Sequence, residues 1–219
     1  MQVLTLPVEW FAVGATRAPY SLVDNTLSDL GAVNCGSVDY SGTAVEVCSP
    51  AHALFNVALF VGALLVAVGG VLVRPALHGR RSAGFATAGV VALVLGQLSG
   101  AATALVPIDV DLEAHLLVST PAFVLQPVGL LLIGIAAQRS RWWWGTPMLV
   151  VGAVTLLVGS FFAVRLDPAG GGLLERLVLW PAVLILGLAG LGLLRTRTAA
   201  AGGRPPGRPA EGRQRTGTV

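Results

Sequence analysis

Lysine is missing from this chain: all fourteen of its basic residues are Arg, a pattern that reads as a GC-rich coding bias and not as a chemical choice. Charge of either sign is scarce, at 11% of residues, where soluble domains carry about 25%. Cysteine is limited to two residues and His to three. No phosphate-cradling Gly-rich loop, GxSxG elbow, CxxCH haem site or CxxC redox pair occurs. Those absences speak against ATP-driven, haem and dithiol chemistry within the chain. The start lacks a basic n-region and Glu9 interrupts its apolar run, so no cleavable signal peptide is expected.

What is abundant is apolar surface. Hydrophobic residues make up 54% of the 219, and mean hydropathy is +0.77. Such a chain would expose large greasy patches in water but is at home in a bilayer. Blocks of about 20 apolar residues mark spanning helices. They are expected at Ala51–Val73, Ala83–Val106, Ala114–Ala137, Trp143–Val164 and Leu173–Leu194. The segment from Val3 to Ala15 is shorter and holds Pro7 and Glu9. A charge at mid-span costs about 2.5–3.5 kcal/mol on insertion scales. Three readings stay open for it: a short tilted span, a re-entrant segment, or a span whose first turns lie upstream. The fold class expected is all-α, a polytopic bundle of six spans, the first short. Residues 1–194 would form this bundle and residues 195–219 a disordered tail rich in Gly, Pro, Ala and Arg.

Eleven of the fourteen Arg fall on one side: Arg74, Arg80, Arg81, Arg139, Arg141, Arg195, Arg197, Arg204, Arg208, Arg213 and Arg215. The positive-inside rule then puts the C-terminus in the cytoplasm and loop 17–50 outside, in an inner (plasma) membrane. Trp142, Trp143 and Trp144 follow Arg141 as expected interface anchors. His78 sits in the basic link and is expected to be solvated. The net charge of +3 does not signal nucleic acid, because the Arg lie in links and tail and no reading module accompanies them. Membrane lipid is the expected partner; no protein partner is readable.

Loop 17–50 holds both cysteines, Cys35 and Cys48. In an oxidising compartment they are expected to pair. Two free thiols remain the alternative, and a zinc pair would prefer CxxC-like spacing. The loop's Asp24, Asn25, Ser28 and Asp29 favour turns and caps. Ser28 or Asp29 is expected to N-cap a short surface helix.

The run PYSLVDNTLSDLGAVNC at Pro19–Cys35, followed by VCSPAHALFN at Val47–Asn56, resembles a family of membrane proteins called domain of unknown function 998. Pro107-Ile108-Asp109 with His115, and Leu174-Glu175-Arg176-Leu177 with Pro181, are similar to it as well. The resemblance covers roughly residues 1–194 and implies a six-span bundle. The chain departs from the family in having few residues before Pro19. The family supplies no activity.

Polar groups within spans are costly and mark sites. His52 and Asn56 lie four apart, on one helix face. His115, Ser119 and Gln126 fall within about 40° of one another on a helix. His52, Asn56, His115 and Ser119, with Asp24, Asn25, Ser28, Asp29, Asp109, Glu175 and Arg176, form a candidate polar cluster on the loop side. One reading is a metal site in which His52 and His115 hold zinc and activate a water. The bland reading is hydrogen bonding between helices. Arg176 is expected to pair with Asp29 or Asp109. Gly145, Gly152 and Gly159 recur every seven residues and read as a packing seam. No His follows His115, so the HxxxH pair of the ceramidase and adiponectin-receptor hydrolases is missing. The function expected is noncatalytic lipid or partner binding in the envelope. The alternatives are an outward-facing metal-dependent hydrolase of a lipid or small amphiphile, and a small-solute carrier.

Overall fold

A helix makes all of its backbone hydrogen bonds internally, so apolar blocks of this length settle as spanning helices where water is excluded. The computed structural model describes residues 5–77, 79, 82–164 and 169–202. Six helices occur among them: α1 (Thr5–Ala15), α2 (His52–Val73), α3 (Ala83–Thr103), α4 (Leu112–Arg139), α5 (Gly145–Val164) and α6 (Gly171–Gly202). Five stretches are long and apolar enough to cross a bilayer: His52–Leu77, Ala83–Thr103, Leu112–Arg139, Gly145–Val164 and Gly171–Arg195. Their outward faces stay apolar, as at Val57, Val68, Leu72 and Leu117. The chain is a multi-pass membrane protein. The described part of α1 has 11 residues, about 16 Å of helix, roughly half the hydrocarbon thickness.

Consecutive helices pack side by side, closest where Gly lets backbones approach. A Cβ on Gly96 of α3 would stand 2.9 Å from the Gln126 nitrogen of α4. The Gly145, Gly152 and Gly159 seam faces α4: a Cβ on Gly152 would meet the Leu131 nitrogen at 2.9 Å. Leu77, Leu93, Leu130, Ile133, Met148 and Ile185 build the largest core toward the arginine-rich end.

Proline sits inside α4 at Pro121 and Pro127. A proline interrupts the helical ladder, and a neighbour repairs the gap here. The Ser99 hydroxyl accepts from the Ala122 N–H at 3.1 Å and donates to the Val118 carbonyl. In an unbroken helix those two groups would bond each other.

Loop 17–50 is more structured than its turn residues predict. After a 3₁₀ turn at Ser28–Gly31, it forms a hairpin of β1 (Gly36–Tyr40) and β2 (Thr43–Val47), with Gly36 opposite Val47 and Tyr40 opposite Thr43. Ser41 and Gly42 both have positive φ, 52° and 95°, as a two-residue hairpin turn requires. Asp39 Oδ1 accepts from the Gly42 N–H at 2.6 Å. Cys35 and Cys48 form a disulfide across the open end of the hairpin.

Three expectations change. The 3₁₀ turn is N-capped by Leu27 without a side-chain bond, so neither Ser28 nor Asp29 caps it. Trp144 is buried in the core, whereas Trp143 is exposed. Helix α6 runs on to Gly202, so the first residues assigned to the tail are helical. The rest of the tail lies outside the described residues, as do His78, Arg80, Arg81 and Arg165.

Candidate functional site

The first amides of a helix lack intrahelical partners. At the start of α6 the loop supplies them: Asp24 Oδ1 accepts from Gly170 N, Asp24 O from Gly172 N, and Val23 O from Leu173 N. One turn further along, Arg176 enters the same segment. Its Nη1 donates to the carbonyls of Leu22, Asn25 and Gly172. Its Nη2 donates to the Tyr20 hydroxyl at 2.7 Å. Its Nε donates to Glu9 Oε1 of α1 at 2.9 Å, with both side chains 4% exposed. Trp180 Nε1 donates to the other Glu9 oxygen. The expected partners Asp29 and Asp109 do not hold Arg176; Glu9 does. Both Asp are already occupied by loop groups.

Asp29 accepts from the Tyr40 hydroxyl at 2.5 Å, the Thr26 N–H at 2.9 Å and Asn25 Nδ2 at 3.1 Å. Asn25 Oδ1 in turn accepts from Ser21 N. Glu175 Oε2 accepts from Leu27 N at 2.5 Å. Burial pushes the Tyr40 phenol well above its ordinary pKa, and the Asp29 carboxylate beside it adds to the shift. Burial also raises the Tyr20 phenol, against the opposing pull of Arg176. Both tyrosines are therefore neutral donors at physiological pH. Asn25, Asp29, Glu175 and Arg176 thus join one buried network through the loop, with Asp24 at its exposed edge.

Other predicted residues anchor the loop separately. His115 has both ring nitrogens engaged, Nδ1 with Val106 O at 2.6 Å and Nε2 with the Ser28 hydroxyl at 2.9 Å. His52 Nδ1 lies 2.8 Å from Ser49 O in its own preceding turn. Asn56 donates to Gly31 O at 3.0 Å. Asp109 accepts from Val33 N, Asn34 N and Asn34 Nδ2. Among the described residues, no group of three or more His, Cys, Asp or Glu is arranged to hold a metal ion. A zinc ion on both His52 and His115 would require His115 to give up one of its two present bonds.

Beneath the loop, between α1, α2, α3, α4 and α6, lies a cavity of about 100 Å³. Leu27 and Ser28 form its roof, with Glu9 and Glu175 nearby; Phe55, Leu59, Phe123 and Leu179 line its middle. Ser119 and Gln126 both line it, and seven residues of helix separate them by about 10 Å. At the deep end Gln97 Nε2 donates to Gln126 Oε1 at 2.5 Å. Gln126 is 3% exposed, and its Nε2 has no hydrogen-bond partner among the described residues. The cavity is thus apolar in its middle and polar at both ends.

Sequence reasoning missed Glu9, Tyr20, Tyr40 and Trp180 as parts of this assembly. A signal existed for Glu9: a carboxylate in an apolar helix calls for a cation, and Arg176 is the one Arg inside a predicted span. Nothing local marked Tyr40 as the partner of Asp29.

A family model described as "Protein of unknown function (DUF998)" matches residues 3–192. No curated protein matches the chain, and no solved structure does.

Proposed function

We propose that this chain, which belongs to the DUF998 family, is a noncatalytic envelope membrane protein that holds an amphiphile drawn from the bilayer. The observation that carries the reading is the cavity, apolar in its middle and polar at its ends. Ligand pockets are typically apolar with a few placed polar groups. A space of about 100 Å³ is somewhat smaller than the roughly 150 Å³ engineered cavity that takes benzene. It suits the end of an acyl chain or one compact amphiphile.

The buried network argues for a rigid roof: Asp29, Glu175 and Arg176 are each bonded to another part of the protein. His115 has both ring nitrogens engaged within the protein, which favours binding over metal-assisted hydrolysis. In this reading the bundle forms one domain, the hairpin loop faces the outside, and the C-terminus is cytoplasmic. The arginine bias and a disulfide suited to an oxidising compartment support that orientation.

The test is organic extraction and mass spectrometry of detergent-purified protein beside a Gly100→Leu variant. A Cβ on Gly100 meets only the Ala63 Cβ, at 4.0 Å, so the larger side chain has room to enter the cavity that both residues line. One amphiphile class enriched in the wild type and lost in the variant is expected. Equal lipid profiles in the two proteins would refute the reading.

A further inference from the structure

A buried amide hydrogen without an acceptor is expensive, because it has given up water and gained nothing. Native proteins rarely leave one so. Gln126 carries such a group, 3% exposed and on the wall of the cavity. Its oxygen already accepts from Gln97, and its nitrogen has no partner among the described residues.

We infer that Gln126 Nε2 is the recognition group of the cavity, and that the ligand is an uncharged amphiphile presenting a hydroxyl or carbonyl oxygen to it. The inference rests on the amphiphile-binding reading above and adds which end of the ligand is read. An acceptor oxygen completes the amide, and the apolar body lies against Phe55, Leu59 and Phe123. A carboxylate-bearing ligand fits less well, because Glu9 and Glu175 line the same space. A plain hydrocarbon would leave the amide unsatisfied. The floor of the cavity therefore selects for oxygen, while its walls select for apolar bulk. Sites built to bond a ligand oxygen reject the analogue that lacks it more sharply than apolar pockets reject an extra methylene.

The test uses the full chain in detergent and two probes of nearly equal size, 5-fluoropentan-1-ol and 1-fluoropentane, followed by fluorine NMR. Gly100→Leu, with the cavity filled, reports partition into the micelle alone. After that correction the alcohol should bind the wild type about fivefold more tightly than the fluoroalkane, the factor one net neutral hydrogen bond supplies. Gln126→Leu should bind both probes equally. Gln126→Met serves as a second variant if the leucine destabilises the α3–α4 packing. Equal binding of both probes to the wild type would overturn the role of Gln126 while leaving the cavity as a binding site. Binding of neither probe above the Gly100→Leu level would overturn both the role and the site. Discrimination that survives in Gln126→Leu and Gln126→Met would assign the oxygen to another group and overturn the inference.

Discussion

Replacing Arg176 with Ala removes a cation that ties α1, the loop and α6 together. The guanidinium donates to Glu9 Oε1, to three backbone carbonyls and to the Tyr20 hydroxyl. The variant leaves Glu9 buried, with Trp180 Nε1 as its remaining bond. Breaking a buried ion pair by removing one partner costs about 3–5 kcal/mol, because the other charge stays behind uncompensated. For soluble chains of about this length, 1 kcal/mol shifts Tm by roughly 2–4 °C, so a drop of about 6–20 °C is expected. The assay is thermal unfolding of wild type and variant in one detergent, read by circular dichroism. Adding Glu9→Gln to the Arg176→Ala variant removes the stranded charge and should restore part of the loss. A Tm for Arg176→Ala within about 2 °C of wild type would show that the pair does not hold the cap in place, on that same scale.

Four further outcomes follow from the geometry. Cys35→Ser/Cys48→Ser opens the ring at the base of the hairpin and should cost about 3 kcal/mol on the chain-entropy model; an unchanged urea midpoint would mean the hairpin is held by its other contacts. Gly152→Leu forces a side chain against the α4 backbone, where a Cβ would stand 2.9 Å from Leu131 N, and should lower stability by at least the roughly 1–3 kcal/mol typical of overpacking; a Tm equal to wild type would show that α5 can draw back without loss. The Tyr40 phenol is pushed above its ordinary value of about 10 in the folded state, so the unfolded chain releases that proton first. Stability from this group is then full below pH 10 and declines as pH rises above it, and the decline should be shallower in Tyr40→Phe; identical alkaline profiles would argue against the Tyr40–Asp29 bond. Metal analysis of the purified protein should find zinc far below one per chain, with no change in His52→Ala/His115→Ala; near-stoichiometric zinc that disappears in the double variant would return the hydrolase reading to the front.

The five long helices were legible because a bilayer demands continuous apolar runs, and such runs are visible residue by residue. The glycine seam of α5 was legible for a similar reason: a seven-residue recurrence stays on one helix face. The hairpin was not anticipated. Its signal, Ser41-Gly42 between Val38-Asp39-Tyr40 and Val45-Glu46-Val47, is short and sits in a segment dense with other turn formers. Side of the membrane does not identify the partner of Arg176, because it leaves out what else claims each carboxylate. Asp29 is claimed by Tyr40, Thr26 and Asn25, and Asp109 by Val33 and Asn34. Glu9, read as a penalty within a weak span, is the group left with an oxygen for the guanidinium. The cavity depends on which helices face each other at depth, and periodicity within single helices does not carry that information.

The ion pair of Glu9 with Arg176 joins residues 167 positions apart, and this sets a timetable for biogenesis. At about 5–20 residues per second, a ribosome delivers the arginine roughly 10–30 s after the glutamate. Throughout that interval the carboxylate of α1 lacks the partner it has in the folded protein, and the first turn of α6 does not yet exist to dock the loop. The pair therefore closes only once α6 is in place. A chain truncated before α6 never acquires the arginine that this carboxylate bonds in the folded protein, so its first helix carries an unneutralised charge for good.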